Sequence, residues 1–208
     1  MRKSLFICLA AVCAAGFVPR AWAQGWGVEF KVGFSLARIH QTSAEPLSLA
    51  WEGLPFFVAG LALQGSGLVS IEPEVLYVQQ GGNYDIDAAN GLTNRYHYLQ
   101  VPVQLRINPV REGKVRPFVA AGPYGAYLIR ADSILKVDNL STRADVTSEY
   151  ERWDWGVVGS AGLAFKMPGI TLSVEGRYNL GLANILNSPV AGDSLKNRCW
   201  MALIGLRY

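Results

Sequence analysis

The stretch that decides the fold lies at residues 170–182 and has the sequence ITLSVEGRYNLGL. Its even positions carry Ile, Leu, Val, Gly, Tyr, Leu and Leu, and its odd positions carry Thr, Ser, Glu, Arg, Asn and Gly. This period of two is typical of a β-strand, in which successive side chains point to opposite faces. The segment is therefore predicted to be a strand with one apolar face and one polar face.

The same alternation recurs along the chain and predicts about eight strands. The other segments lie near 26–36, 56–64, 68–79, 98–107, 116–130, 154–166 and 199–208. Several are as long as the roughly 9–11 residues that a tilted strand needs to cross a bilayer. We therefore expect an all-β chain that forms a closed up-and-down antiparallel transmembrane β-barrel of about eight strands.

The connections between these segments alternate in length. Long connections fall at 38–55, 80–95, 131–152 and 184–197, and short ones lie near 65–67, 108–115 and 168–169. A barrel that enters the membrane from the periplasm has long external loops and short periplasmic turns. The connection at 131–152 is rich in charge and poor in large apolar residues, so we expect it to be a solvated loop suited to partner contact. Its charge comes from residues that include Asp132, Lys136, Asp138, Arg143, Asp145, Glu149 and Arg152.

The N-terminus has the three-part pattern of a cleaved signal peptide. Met1-Arg2-Lys3 precedes an apolar stretch at 5–18, and Ala21-Trp22-Ala23 then precedes Gln24. The apolar stretch is shorter than the roughly 20 residues that a membrane-spanning helix needs. We expect residues 1–23 to be a signal peptide and residues 24–208 to be one barrel domain.

Charge and cysteine content exclude several classes of function. The first 23 residues hold three of the 19 basic residues and none of the 16 acidic ones, so the rest of the chain carries 16 of each. A balanced chain without a basic run does not favour nucleic-acid binding. Cys8 and Cys13 lie in the targeting segment, which leaves Cys199 without an intramolecular disulfide partner, and we expect it only to fill space.

Charges of both signs occupy the face opposite the apolar one. Four acids and four bases share this inward parity: Glu29, Lys31, Glu72, Glu74, Arg106, Glu175, Arg177 and Arg207. A charge in a narrow lumen of low dielectric must be paired, so we expect interior salt bridges. Their role is either a polar plug or a gated ion path, and the small bore of eight strands favours the plug.

Aromatic residues at predicted strand ends indicate a membrane setting. We expect two girdles at the headgroups, formed by Trp26, Trp153, Trp155, Tyr178, Trp200 and Tyr208. The final Tyr208 is in phase with the apolar face, which resembles the C-terminal signature recognised by the barrel-assembly machinery. The expected location is the outer membrane of a Gram-negative bacterium, with outer-membrane lipid and that machinery as partners.

Three prolines, Pro73, Pro102 and Pro123, fall inside predicted strands. Each removes a donor from the ladder of hydrogen bonds, so we expect bulges or bends at these positions.

Six motifs resemble the PorT-like outer-membrane β-barrel proteins over nearly the whole mature chain. They are GVEFKVG at 27–33, EPEVLY at 72–77, YLQVPVQL at 98–105, PFVAAGPY at 117–124, DWG at 154–156 and EGRYNLGL at 175–182. The resemblance implies an outer-membrane barrel, and for the founding branch it implies an accessory part in secreting or maturing surface proteins. It also implies that the prolines inside strands are normal for the family.

The sequence predicts no catalytic residue, cofactor or metal site. We expect a structural or interaction barrel that presents its external loops to partners, and the resemblance implies that it serves secretion or surface assembly. A narrow solute channel is the alternative. A lipid-modifying enzyme is a third hypothesis, in which His40 or His97 would act beside Ser43, Asp85 or Asp87, but their spacing marks no triad.

Overall fold

A computed structural model describes residues 26–42, 55–85, 91–110, 112–137, 140–185 and 194–208. The expected signal peptide at residues 1–23 lies outside these ranges. The described strands are β1 (Trp26–Thr42), β2 (Pro55–Gly65), β3 (Val69–Asp85), β4 (Gly91–Ile107), β5 (Val115–Val137), β6 (Leu140–Asp145), β7 (Trp153–Met167), β8 (Ile170–Gly181) and β9 (Ser194–Arg207). A short 3-10 turn, Thr147–Glu149, precedes β7. Among the described residues, no helix has the length and apolar character required to cross a membrane.

Eight of these strands close into a ring, which confirms the predicted barrel. Every neighbouring pair is antiparallel, and β1 pairs with β9 from Glu29↔Arg207 to Thr42↔Ser194. The order around the ring is β1, β2, β3, β4, β5, β7, β8, β9, and the short β6 pairs with the far end of β5. Closure gives the first and last strands hydrogen-bonding partners, which a wall facing lipid requires because hydrocarbon offers none.

The apolar face of each strand is the outer face of the barrel. Phe34 is 63% exposed and Trp200 is 59% exposed, whereas Lys31 and Glu175 are at most 2% exposed. A soluble barrel would have the opposite arrangement, with apolar side chains inside. The outer wall is therefore built to contact acyl chains.

The three short connections lie at one end of the barrel, which we call the turn end. Each contains a glycine with positive φ: Gly67 at 136°, Gly113 at 99° and Gly169 at 80°. Only glycine adopts this conformation without a steric penalty, so these residues fix the tight turns that the sequence predicted. The opposite end, towards which the long connections run, is called the loop end.

The long connections contain more strand than the sequence predicted. β1 continues to Thr42, β3 continues to Asp85, β4 begins at Gly91 and β9 begins at Ser194. The largest correction concerns 131–152, where the end of β5 and β6 form an antiparallel hairpin from Asp132↔Asp145 to Val137↔Leu140. The segment SILKV at 133–137 has no regular alternation, and it becomes strand because it hydrogen-bonds to β4 and β6.

The expectation of bulges at the prolines is wrong. The β3–β4 ladder passes from Pro73↔Val103 to Leu76↔Gln100 in one register, and the β2–β3 ladder stops at Ala62↔Glu74. The β4–β5 ladder likewise runs from Pro102↔Tyr124 to Leu105↔Ala121 without a shift, passing Pro123. A proline thus removes local pairing, but its fixed φ is compatible with extended backbone. The register shift falls instead between His97 and Tyr98, opposite the extra residue Ile129.

The lumen also holds apolar clusters, which the sequence analysis did not anticipate. One contains Ala37, Val58, Leu76, Val78, Cys199, Met201 and Leu203. A second is formed by Tyr96, Tyr98, Tyr124, Ala126, Leu128, Ala131 and Val158. Cys199 is fully buried in the first cluster. These clusters fill the loop-end half of the lumen, because eight strands enclose only enough space for their own side chains.

Candidate functional site

Lys31 forms the centre of a buried cluster of charges in the lumen. Its Nζ donates to Oε1 of Glu72 at 2.7 Å, to Oε1 of Glu74 at 2.7 Å and to Oε2 of Glu175 at 2.8 Å. These three bonds use all the donors of the ammonium group. One lysine on β1 thus joins carboxylates from β3 and β8.

Arg177 completes the connection across the barrel. Its NH1 lies 2.6 Å from Oε2 of Glu74, and its NH2 lies 2.8 Å from Oε1 of the same carboxylate. It also donates to Oε1 of Glu175 through Nε at 2.8 Å and NH2 at 2.6 Å. Since β3 and β8 stand four strands apart on opposite sides of the ring, the bond between Arg177 and Glu74 crosses the full width of the lumen.

Arg106 extends the cluster towards the turn end. Its NH1 lies 3.0 Å from Oε2 of Glu72, and its guanidinium carbon lies 3.4 Å from the centre of the Phe118 ring. We call the joined set the lumen charge network: Lys31, Glu72, Glu74, Arg106, Glu175 and Arg177. Three acids face three bases, so the network is neutral, as a buried set of charges must be.

Two of the eight inward charges lie outside this network. Glu29 accepts a hydrogen bond from Ser173 Oγ through Oε1 at 2.5 Å. Arg207 faces the turn end, opposite Glu29 in the β1–β9 register. Gly205 makes room for the Glu29 carboxylate, because a Cβ there would stand 2.2 Å from Oε1.

A polar contact that the sequence analysis missed lies between the lumen charge network and the loop end. Asn197 Nδ2 donates to Oδ2 of Asp154 at 2.9 Å and to the hydroxyl of Tyr98 at 3.3 Å. These residues come from β9, β7 and β4, so the contact also joins distant parts of the wall. Their inward parity was a usable signal, but alternation does not show which inward residues meet.

The expected aromatic residues occupy three levels of the barrel. Trp26 opens β1 and Tyr208 follows β9, which places both at the turn end, while Trp153 and Trp155 begin β7 at the loop end. Tyr178 and Trp200 pack against each other with ring centres 4.6 Å apart. Trp200 lies in the middle of β9, not at its end as expected, because that strand begins earlier than its alternation indicated.

Beyond Tyr127, β5 leaves β7 and continues past the wall, where it carries a second charged cluster. Asp132 accepts hydrogen bonds from Arg130 Nε at 2.8 Å and Arg143 NH2 at 2.5 Å. His97 Nε2 is 3.4 Å from Oδ2 of the same carboxylate. We call Asp132, Arg130, Arg143 and His97, together with Tyr77 beside the His97 ring, the rim cluster.

The bonds from Arg143 lower the pKa of Asp132 to about 2, and those from Arg130 contribute. The ordinary value is 3.8, so the ion pairs stabilise the hairpin fully above that pH and weaken as the pH falls towards 2. The carboxylate is therefore charged throughout the neutral range. It ties β6 to β5 at the base of the hairpin.

Of the two histidines, only His97 has its side chain among the described residues. His97 Nδ1 lies 2.5 Å from the hydroxyl of Tyr77, a contact that the sequence analysis did not anticipate. Ser43 and Asp87 lie outside the described residues, as do the side chains of His40 and Asp85. Within the described part of the chain, His97 is thus placed between a phenol and a carboxylate.

A closed ring with an apolar outer wall and buried charged side chains in its lumen defines a small outer-membrane β-barrel. The chain belongs to the family of outer membrane protein beta-barrel domains, which matches residues 22–187. No curated protein sequence matches the chain.

Solved structures share this fold at low sequence identity. The outer membrane protein OprG from Pseudomonas aeruginosa is 13% identical, with a TM-score of 0.56 over 88% of this chain and 95% of that one. Neisserial surface protein A is 12% identical, with a TM-score of 0.51 over 88% and 96% of the two chains. The outer membrane protease OmpT from Escherichia coli is 10% identical, with a TM-score of 0.51 over 88% and 96%. At these identities the likeness concerns the fold alone.

Proposed function

We propose that the chain is a non-conducting outer-membrane barrel that acts as an interaction protein through its loop end. The observation that carries the proposal is the contact between Arg177 and Glu74, which joins opposite sides of the ring through the centre of the lumen. Apolar clusters fill the interior above this contact. A solute would have to break several charge-assisted hydrogen bonds to pass.

The β5–β6 hairpin is the surface that we propose for partner contact. All six residues of β6 are exposed, and Leu140 is 76% exposed at the start of that strand. Val137, its register partner on β5, is also exposed, so an exposed apolar pair stands above a charged base. Exposed apolar residues rimmed by polar ones suit a protein interface.

The resemblance to PorT-like barrels supports a partner from a secretion or surface-assembly system. A narrow solute channel is the alternative, and the two functions differ in conductance. The barrel-assembly machinery is expected as a partner during biogenesis only.

The purified barrel is expected to give no conductance steps in planar bilayers. The Glu74→Ala/Arg177→Ala variant removes both side chains that cross the lumen. Steps from this variant would identify the lumen charge network as the barrier, and continued silence would assign the barrier to the apolar clusters. Val174→Ala changes the lipid face at the same level and is expected to stay silent. Open-channel steps from the unaltered chain would refute the closed lumen and favour the channel.

A photo-cross-linking residue at position 140 is expected to trap a protein partner in intact cells. The same residue at position 174, on the lipid face, should give lipid adducts but no discrete protein adduct. Mass spectrometry of the adducts would then identify the partner. Equal protein adducts at both positions, or none at position 140, would remove the hairpin as the interaction surface.

A further inference from the structure

The barrel interior ends in a cavity of about 180 Å³ at the turn end. We call it the mouth cavity. Among the described residues that line it, four are cations and none is an acid: Arg106, Arg116, Lys166 and Arg207. The lumen charge network closes the cavity from above, since Arg106 belongs to both. The cavity is therefore a basic pocket open only towards the turn end.

Three of these cations form no ion pair with a described residue, although the buried carboxylate of Glu29 attracts Arg207 from within the lumen. Arg106 pairs with Glu72, but no carboxylate of the described residues lies within ion-pair distance of Arg116, Lys166 or Arg207. Like charges that converge in a partly enclosed space repel one another, because solvent screens them only in part. An anion in the cavity would relieve this repulsion.

The donors around the cavity are held in place by the turns. Asn108 donates through Nδ2 to the carbonyl of Gly67 at 3.1 Å and accepts from Arg106 Nε at 3.0 Å. Arg116 Nε donates to the carbonyl of Gly113 at 3.2 Å. These bonds connect two turns to two of the four cations. Such preorganisation reduces the entropy lost when a ligand binds.

We propose that the mouth cavity binds a phosphate group. Guanidinium groups match phosphate geometry, and an ammonium group adds charge at close range. Ser66 and Thr171 supply hydroxyl donors in the same lining. The group belongs either to a small solute or to a phospholipid headgroup in the leaflet around the turn end. This site stands apart from the proposed function, because it lies at the end opposite the β5–β6 hairpin.

Inorganic phosphate should bind the full chain in neutral detergent at constant ionic strength, measured by calorimetry against chloride. The Lys166→Gln/Arg207→Gln variant should bind phosphate with an affinity lower by a factor of about ten or more, since it loses two charge-assisted contacts. Lys136→Gln removes a cation from the β5–β6 hairpin and should leave the affinity unchanged. Heat-modifiable mobility in gels would show that each variant is folded.

Two results would overturn the proposal: the absence of phosphate binding to the unaltered chain, or equal binding by the Lys166→Gln/Arg207→Gln variant. A short-chain phosphatidylglycerol then distinguishes the source of the group. Competition with inorganic phosphate supports a site for the headgroup, and its absence supports a site for a solute. Both outcomes keep phosphate as the ligand chemistry.

Discussion

The Arg177→Met variant is expected to lose about 3–5 kcal/mol of folding free energy, the usual effect of removing one partner from a buried ion pair. Arg177 makes four short hydrogen bonds to Glu74 and Glu175, and its loss leaves the lumen charge network with an uncompensated negative charge. Urea unfolding in lipid vesicles, followed by tryptophan fluorescence, measures the loss directly.

A double variant separates the effect of charge from the effect of packing. Glu175→Gln/Arg177→Met restores neutrality and should recover most of the lost stability, because apolar or neutral replacements of a complete pair are often tolerated. If the single variant fails to fold and the double variant folds, the charge argument holds. Additive losses in the double variant would show that the network is not a coupled unit.

The Val174→Arg variant should cost about 2–4 kcal/mol, the range for a cation on the lipid face near the middle of the bilayer. Val174 lies on the outer wall in β8, between register partners Leu163 and Ile204, and is 49% exposed. Its neighbour Glu175 faces the lumen. The same unfolding measurement in vesicles reports the difference.

Leu140→Arg is the matched control for this prediction. Leu140 is more exposed than Val174, but it lies on the β5–β6 hairpin beyond the wall. We expect its unfolding free energy to stay within about 0.5 kcal/mol of the unaltered chain, as for ordinary surface substitutions. Equal losses at both positions would contradict the assignment of the outer wall to lipid.

The strands and turns of the barrel could be predicted from the sequence because their signals are local. Alternation in 170–182 reports one face of one strand, and the strand β8 is found at Ile170–Gly181. Glycines 67, 113 and 169 mark turns that need positive φ. Such features depend on the residues themselves and on neighbours within a few positions.

The ends of the strands were harder to predict from the sequence. β5 continues to Val137 because β4 and β6 supply hydrogen-bonding partners on its two sides. Neither partner is visible in the local pattern around 131–137. The expectation of bulges at the prolines failed for a related reason. The surrounding ladders of hydrogen bonds hold the register that a proline by itself would be expected to disturb.

The sequence by itself determined that this chain is a β-barrel with an apolar wall and charges of both signs inside, because alternation with period two is a property of consecutive residues. Only the tertiary structure decided which charges meet. Arg177 contacts Glu74 across 103 positions of sequence, while Glu29 and Arg207 remain outside the network. Which inward charges form ion pairs depends on the register and closure of all eight strands. These are set by long-range strand pairing and not by any local pattern.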